Sequence, residues 1–452
     1  MILDSTTMVS FVRFLFAFTI GSHILLVSTS ISLSILISAA EFISIRRGDR
    51  AYEALARKLT KVFVVSFGIG TASGIVMAVE LVALFPTFMT LVSQTGVIIL
   101  LYTEMFAFFL EILALVLYVY YWDSFRNRYV HWATSLFVIA GTLLSAVLIT
   151  MVNAWMNTPN GFDIATYTSS GFKTVTGVQP WAVFLTPSTV SEVFHVLPTT
   201  VLAGSTIIGS FFAYWFLRSR DAGEKEMFGK ALKILGAIGI VTIALSVITG
   251  ANEISTLLTA QPLKFASLEA NPIPGTNLPE KLFGGIVNGT PPTFAGGLII
   301  PGAQSFLAKL ETGITALPGL STYSPSTWPP LLVHTTFDAM VVGGMALGVF
   351  FFLYFAALLL KRRPYERRFF LYLQIPAAVV AVLVYLLGWA TDEIGRQPWI
   401  VYNVMRVDQA ANLSTSLFVP GILIMLFYVL ILPASFYFYA RIFRQSDGQK
   451  EV

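Results

Sequence analysis

The chain has 452 residues, of which 56% are hydrophobic and 14% aromatic, with mean hydropathy +0.76 and formal net charge +4. Only 12% of residues are charged, about half of the ~25% usual in a soluble domain, so the bulk of the chain belongs in lipid. The absence of Cys excludes disulfides, thiolate metal sites and iron–sulfur clusters.

Nine apolar runs are long enough to cross a bilayer, for which roughly 20 residues suffice. The first, near 11–40, carries Arg13 and His23. It is too long for a cleavable signal peptide, and no basic region precedes it. His23 suits either a hydrogen bond to a neighbouring helix or axial ligation of an embedded metal cofactor, for which Gly21 and Ser22 leave room. The second run, near 61–84, holds Glu80. The third, near 95–120, holds Glu104 and Glu111. Their spacing of seven places both on one helix face, two turns apart. Two carboxyls on a Phe- and Leu-rich span with no basic partner fit a proton relay.

The fourth run, near 132–153, leads through NAWMNTP (Asn153–Pro159) into a Thr-, Ser- and Gly-rich loop at 154–188. The fifth, near 189–216, carries His195 close to its start, and the sixth spans about 231–250. A long Pro/Gly-rich loop at 251–330, only weakly periodic, contains Lys264 and Glu269; structureless loops of this length are usually functional or mobile. The seventh run, near 331–360, holds His334, Asp338 and Met340. Met340 lies at a depth matching His195, and an imidazole with a thioether suggests a six-coordinate heme. His334 reads as a hydrogen-bonded residue near the surface. The eighth run, near 369–390, ends in TDEIGRQPW (Thr391–Trp399), a dense charged cluster in a charge-poor chain, and the ninth lies near 416–440.

Lys and Arg concentrate in every second connection: 41–60 (Arg46, Arg47, Arg50, Arg57, Lys58), 121–131 (Arg126, Arg128), 217–233 (Arg218, Arg220, Lys225, Lys230, Lys233), 361–368 and the tail from Arg441 to Lys450. By the positive-inside rule the N-terminus is outside and the C-terminus cytoplasmic, with both long loops outside. The pI near 9.1 reflects these anchors and gives no argument for nucleic acid. The expected fold is an all-α integral membrane protein of nine transmembrane helices forming one membrane domain. Residues 1–250 hold six spans, 251–330 the outer loop and 331–452 the last three.

The motifs in order resemble subunit I of cytochrome bd-type quinol oxidases. They are Arg13…His23, FAFFLE (Phe106–Glu111), NAWMNTP, VFH (Val193–His195), KFASLE (Lys264–Glu269), FDAM (Phe337–Met340) and GRQPW (Gly395–Trp399) preceded by Glu393. The resemblance covers the whole chain. It implies a terminal oxidase of the cell membrane that passes electrons from quinol through three hemes to dioxygen, giving water, with protons taken from the cytoplasm. The helices would bundle around a low-spin heme b held by His195 and Met340. A high-spin heme b, and a heme d or further heme b, would be held by His23 and Glu393, one ligand to each. Lys264 and Glu269 would serve quinol oxidation, making 251–330 a quinol-binding loop. Glu104, Glu111 and Ser145 would line the proton pathway. Arg13, Arg396, Gln397, Trp389 and Trp399 would meet heme propionates or pack on the macrocycles. A second membrane subunit of homologous fold, with small single-span subunits, would complete the complex.

The sequence departs from the family at four places. Asp338 stands where the family has Arg; unless paired or protonated, it would lower the potential of the low-spin heme. Glu104 is displaced by one position, Ala78 replaces an acid with Glu80 two residues on, and IVYNVMRVDQA after GRQPW is divergent. A heme-binding paralogue without oxidase activity is one alternative. A proton-coupled transporter is another; it would show inverted repeats with broken helices and gives no reason for GRQPW.

Overall fold

The computed structural model describes residues 4–444 apart from Asn288 and Thr290; Lys450 lies outside the described residues. Among these, nine helices are long and apolar enough to cross a membrane. They are α1 (Ser5–Arg47), α2 (Arg50–Leu84), α3 (Ile98–Tyr120), α4 (Arg128–Asn157), α5 (Thr189–Arg218), α6 (Ala222–Ala260), α7 (Leu332–Leu359), α8 (Arg368–Arg396) and α9 (Phe418–Arg444). Backbone groups in lipid must be satisfied within the segment, which is why these apolar runs are helical throughout.

The helices outrun the apolar stretches. At 1.5 Å per residue, the 43 residues of α1 span about 65 Å, more than the ~40–45 Å of a whole bilayer. Its last turn carries Arg46 and Arg47 and stops at Gly48, whose φ of 65° suits a left-handed cap. Asp49 then caps α2 through the Ala51 N–H at 3.0 Å, and Lys230 of α6 clasps the same carboxylate at 2.7 Å.

The central helices are α1 and α5, whereas α9 is the most exposed of the spans. Where α1 meets α5, small residues bring the backbones together. A Cβ on Gly204 would lie 2.0 Å from the Ser28 carbonyl oxygen, and Ser32 donates to the Val201 carbonyl at 3.1 Å. Such contacts replace the hydrophobic drive that lipid removes.

The 251–330 region is not structureless. α6 continues to Ala260, and a short helix, Pro262–Leu268, follows. Strands β1 (Glu280–Leu282) and β4 (Leu298–Ile300) pair antiparallel, as do β2 (Gly285–Val287) and β3 (Thr293–Ala295), and a helix at Ala303–Thr312 closes the region. Beyond α8, β5 (Trp399–Val401) pairs with β6 (Met405–Arg406). The expected all-α membrane fold of nine spans holds, and these short strand pairs lie outside the spans. Their three-residue lengths leave no readable alternation in the sequence.

Candidate functional site

His23 on α1 faces α2: its Nδ1 lies 2.7 Å from Ser73 Oγ, and its Cε1 would be 3.4 Å from a Cβ on Gly74. With Nδ1 engaged, Nε2 is the nitrogen left for a metal. Tyr428 of α9 donates to the Ser73 carbonyl at 2.8 Å. Two turns along α2, Glu80 is buried and neither carboxyl oxygen has a partner among the described residues.

His195 on α5 has the same arrangement. Its Nδ1 lies 3.2 Å from Thr249 Oγ1, and a Cβ on Gly250 would meet its ring at 3.3 Å. Met340 on α7 places its sulfur 3.3 Å from where a Cβ on Gly388 would stand. Each of these three candidate ligands therefore lies against a glycine. Such cradles, together with isolated donors, fit a flat macrocycle that supplies the remaining ligands itself.

The C-terminal end of α8 gathers a dense polar cluster. Arg396 is 1% exposed. It donates to Glu393, to Asn153 Oδ1 at 2.5 Å and to Asn157 Oδ1 at 2.9 Å, with Asp392 at 3.8 Å. The amide of Asn153 reaches Asp392 and Glu393, and that of Asn157 reaches Asp392 and Glu192. Lys264 donates to Asp392 at 2.5 Å. Arg396 Nε, Gln397 Oε1 and Trp399 Nε1 are buried without partners among the described residues. The unspent Nε of the buried guanidinium and the unspent Trp399 indole N–H fit the carboxylates of a heme. Trp399 also stacks under Arg406, at 5.5 Å. Trp389, one residue beyond Gly388, is half-buried on α8, and Arg13 is exposed on α1.

Lys264 and Glu269 lie on and just after one short helix yet point apart. While Lys264 turns to Asp392, Glu269 is buried and accepts from Gln304 Nε2 at 2.6 Å. The cation nearest Glu269 is Lys281 of β1, whose ammonium donates to Asn271 Oδ1 at 2.7 Å and to the Glu269 carbonyl at 3.4 Å. Burial, and then the negative charge of Glu280, push the Glu269 carboxyl up to about 8; burial pushes Lys281 down.

His334 is not at the surface. It is 2% exposed, donates from Nδ1 to the Leu268 carbonyl at 2.6 Å and sets Nε2 3.3 Å from Asp338. Asp338 also accepts the Phe283 N–H, so this acid is paired.

On the α3–α4 face, Ser145 donates to Glu104 at 2.7 Å. Glu111, buried one face-repeat away, packs on Gly141, where a Cβ would stand 2.8 Å from its own, and Glu111 Oε1 has no partner among the described residues. The structure thus brings Glu104 and Ser145 together and aligns Glu111 with them.

Sequence reasoning assigned no part to Asn153, Asn157, Glu192, Lys281, Gln304, Ser73 or Thr249. The i,i+4 spacing of the two Asn in NAWMNTP was the one available signal. The others are set by contacts between distant segments.

The model of the family described as cytochrome bd terminal oxidase subunit I matches residues 11–447. A Bacillus subtilis (strain 168) protein named "Putative cytochrome bd menaquinol oxidase subunit I" is 29% identical over 416 residues, 92% of this chain and 91% of that one. The same organism's cytochrome bd ubiquinol oxidase subunit 1 is 23% identical over 419 residues, covering 88% and 85%. The solved bd oxidase from Geobacillus thermodenitrificans superposes with TM-score 0.87 at 29% identity, covering 96% of this chain and 98% of that chain.

Proposed function

Because the chain belongs to the cytochrome bd terminal oxidase subunit I family, it is a heme-dependent membrane oxidoreductase acting on quinol with dioxygen, and we propose which of its residues divide that work. The observation that carries the reading is the family match over nearly the whole chain. The glycine-lined donors support it.

In this reading His195 and Met340 hold a low-spin heme b, and His23 and Glu393 each hold one high-spin heme, one of them heme d or a further heme b. The hemes supply electron transfer and the reduction of dioxygen to water. Ser73 and Thr249 fix the two imidazoles so that Nε2 is presented. Arg396 and Trp399 receive propionates, while Asn153 and Asn157 keep the guanidinium in place. A second, homologous membrane subunit completes the complex, and the N-terminus faces outward.

Glu269 accepts a quinol hydroxyl proton. Lys264, held by Asp392, completes the positive side of the outer site. A carboxyl raised to about 8 is protonated below that pH and cannot accept. The rate of quinol oxidation therefore rises with pH through about 8 and levels off above it. Glu269→Gln flattens this profile and slows the step on the order of a hundredfold, with heme content intact; an unchanged rate and profile would refute the assignment.

Glu104, Ser145 and Glu111 carry protons from the cytoplasmic side. Glu111→Gln slows oxygen consumption by about tenfold or more while quinol still reduces the hemes. Retention of full oxygen consumption would remove Glu111 from the route.

The test of the whole reading is a reduced-minus-oxidised spectrum of the purified complex, followed by oxygen uptake with reduced quinol. Heme bands with quinol-driven uptake are expected. Bands without uptake would leave a heme protein that is no oxidase, and no bands would end the reading.

A further inference from the structure

Asp338 is an acid buried at the start of α7, and the contacts it makes give it a task of its own. It lies one helical turn after His334 on the same face of α7 and is 1% exposed. Its carboxylate accepts the N–H of Phe283, a residue held at φ 59°, where non-glycine residues are uncommon and need an external hold. Phe283 directly follows β1 and marks the bend between the two strand pairs. His334 acts beside it. Nδ1 donates to the Leu268 carbonyl at 2.6 Å, and Nε2 faces two oxygens, Asp338 at 3.3 Å and the Phe283 carbonyl at 3.4 Å. Phe294 of β3 packs edge-on against the same imidazole, with ring centroids 6.0 Å apart.

These contacts converge on one residue. His334 fixes the carbonyl immediately before Glu269. Lys281, two residues before Phe283 on β1, reaches the carbonyl of Glu269 itself and Asn271. The backbone then turns at Ala270 with φ 45°, a second residue in the left-handed region. The Glu269 main chain is therefore gripped on both sides by groups whose own positions depend on Asp338.

We propose that Asp338 is a positioning residue for Glu269, fastening β1 and His334 across the start of α7 so that the Glu269 carboxyl is presented in one orientation to quinol. The inference rests on Glu269 serving quinol oxidation. The acid is kept for its geometry, as an acceptor for a strained N–H, and not for its charge.

The test uses the purified complex and three variants, with backbone amide exchange at residues 282–286, KM and kcat for reduced quinol, and the heme spectrum as readouts. Asp338→Leu removes the acceptor; exchange is expected to quicken by tenfold or more and kcat/KM to fall fivefold or more, mostly through kcat, with the heme spectrum unchanged. Asp338→Asn keeps an acceptor oxygen and should bring exchange and kcat/KM back to within twofold of the parent. Lys281→Met breaks the next link and should reproduce the fall in kcat/KM even where Asp338→Leu assembles poorly. The proposal is overturned if Asp338→Leu leaves kcat/KM and exchange within twofold, or if Asp338→Asn behaves like Asp338→Leu, which would make the charge the operative property. Failure of Glu269→Gln to affect quinol oxidation would instead remove the underlying assignment, and is read separately.

Discussion

Replacing His195 with Ala, or Met340 with Leu, is expected to abolish the low-spin heme bands in the reduced-minus-oxidised spectrum while the high-spin bands persist. The expectation follows from how completely each side chain is placed. The His195 ring is pinned through Nδ1 by Thr249 and flanked by Gly250, and the Met340 sulfur lies against Gly388. A six-coordinate iron that loses its imidazole or thioether becomes five-coordinate, and its spectrum changes class. Thr249→Val, which touches only the hydrogen bond behind the ligand, should weaken heme retention on the order of tenfold without changing the band positions. Unaltered spectra in both ligand variants would refute the pairing of His195 with Met340.

Replacing Arg396 with Leu is the change expected to damage the fold most. The guanidinium is almost wholly buried and meets Glu393, Asn153 and Asn157 directly, with Asp392 close by. Its removal takes the cation from Glu393 and leaves the Asn153 and Asn157 carbonyls without their donor, while Asp392 keeps Lys264. Leaving a buried polar group unsatisfied costs about 1–3 kcal/mol, and losing several such bonds at once consumes a large share of ordinary stability. Thermal unfolding should shift down by several degrees or more, and the heme assigned to Glu393 should be lost. Arg396→Lys retains the charge but not the planar fork, and should fall between the two. A melting curve and heme content equal to the parent's would show the cluster to be dispensable.

The spans were legible because hydropathy over some twenty residues is a strong local signal. Their ends were not. α6 begins at Ala222 and ends at Ala260, because AGEKEMFGK on one side and ANEISTLLTA on the other form good helix without being apolar. The ligand candidates were legible for the complementary reason: a His or Glu in an apolar run is conspicuous. Lys264 was legible as a residue but not as a partner. It meets Asp392, 128 positions away, and nothing local distinguishes that from a pairing with Glu269, five positions on. Lys281 and Gln304 lie in a segment whose strands are three residues long, too short for a period to register. His334 read as a surface residue because it stands at the edge of an apolar run; the packing of β3 and the 262–268 helix over it buries it.

The backbone contact between α1 and α5 sets a constraint on how the protein is made. Ser28 and Gly204 meet almost surface to surface, and Ser32 donates to a carbonyl 169 residues further along. At roughly 5–20 residues per second, the ribosome takes on the order of 10–30 s to deliver the second helix after the first. During that interval the serine-rich side of α1 waits in lipid without its mate. Ser28 and Ser34 tolerate the wait because their hydroxyls bond back to the carbonyls of Leu25 and Ile31 on the same helix. Ser32, whose partner lies on α5, has no such refuge shown. The central pair of the bundle is thus also its latest-made early contact, and a nascent chain stalled before α5 would present that polar side to membrane quality control.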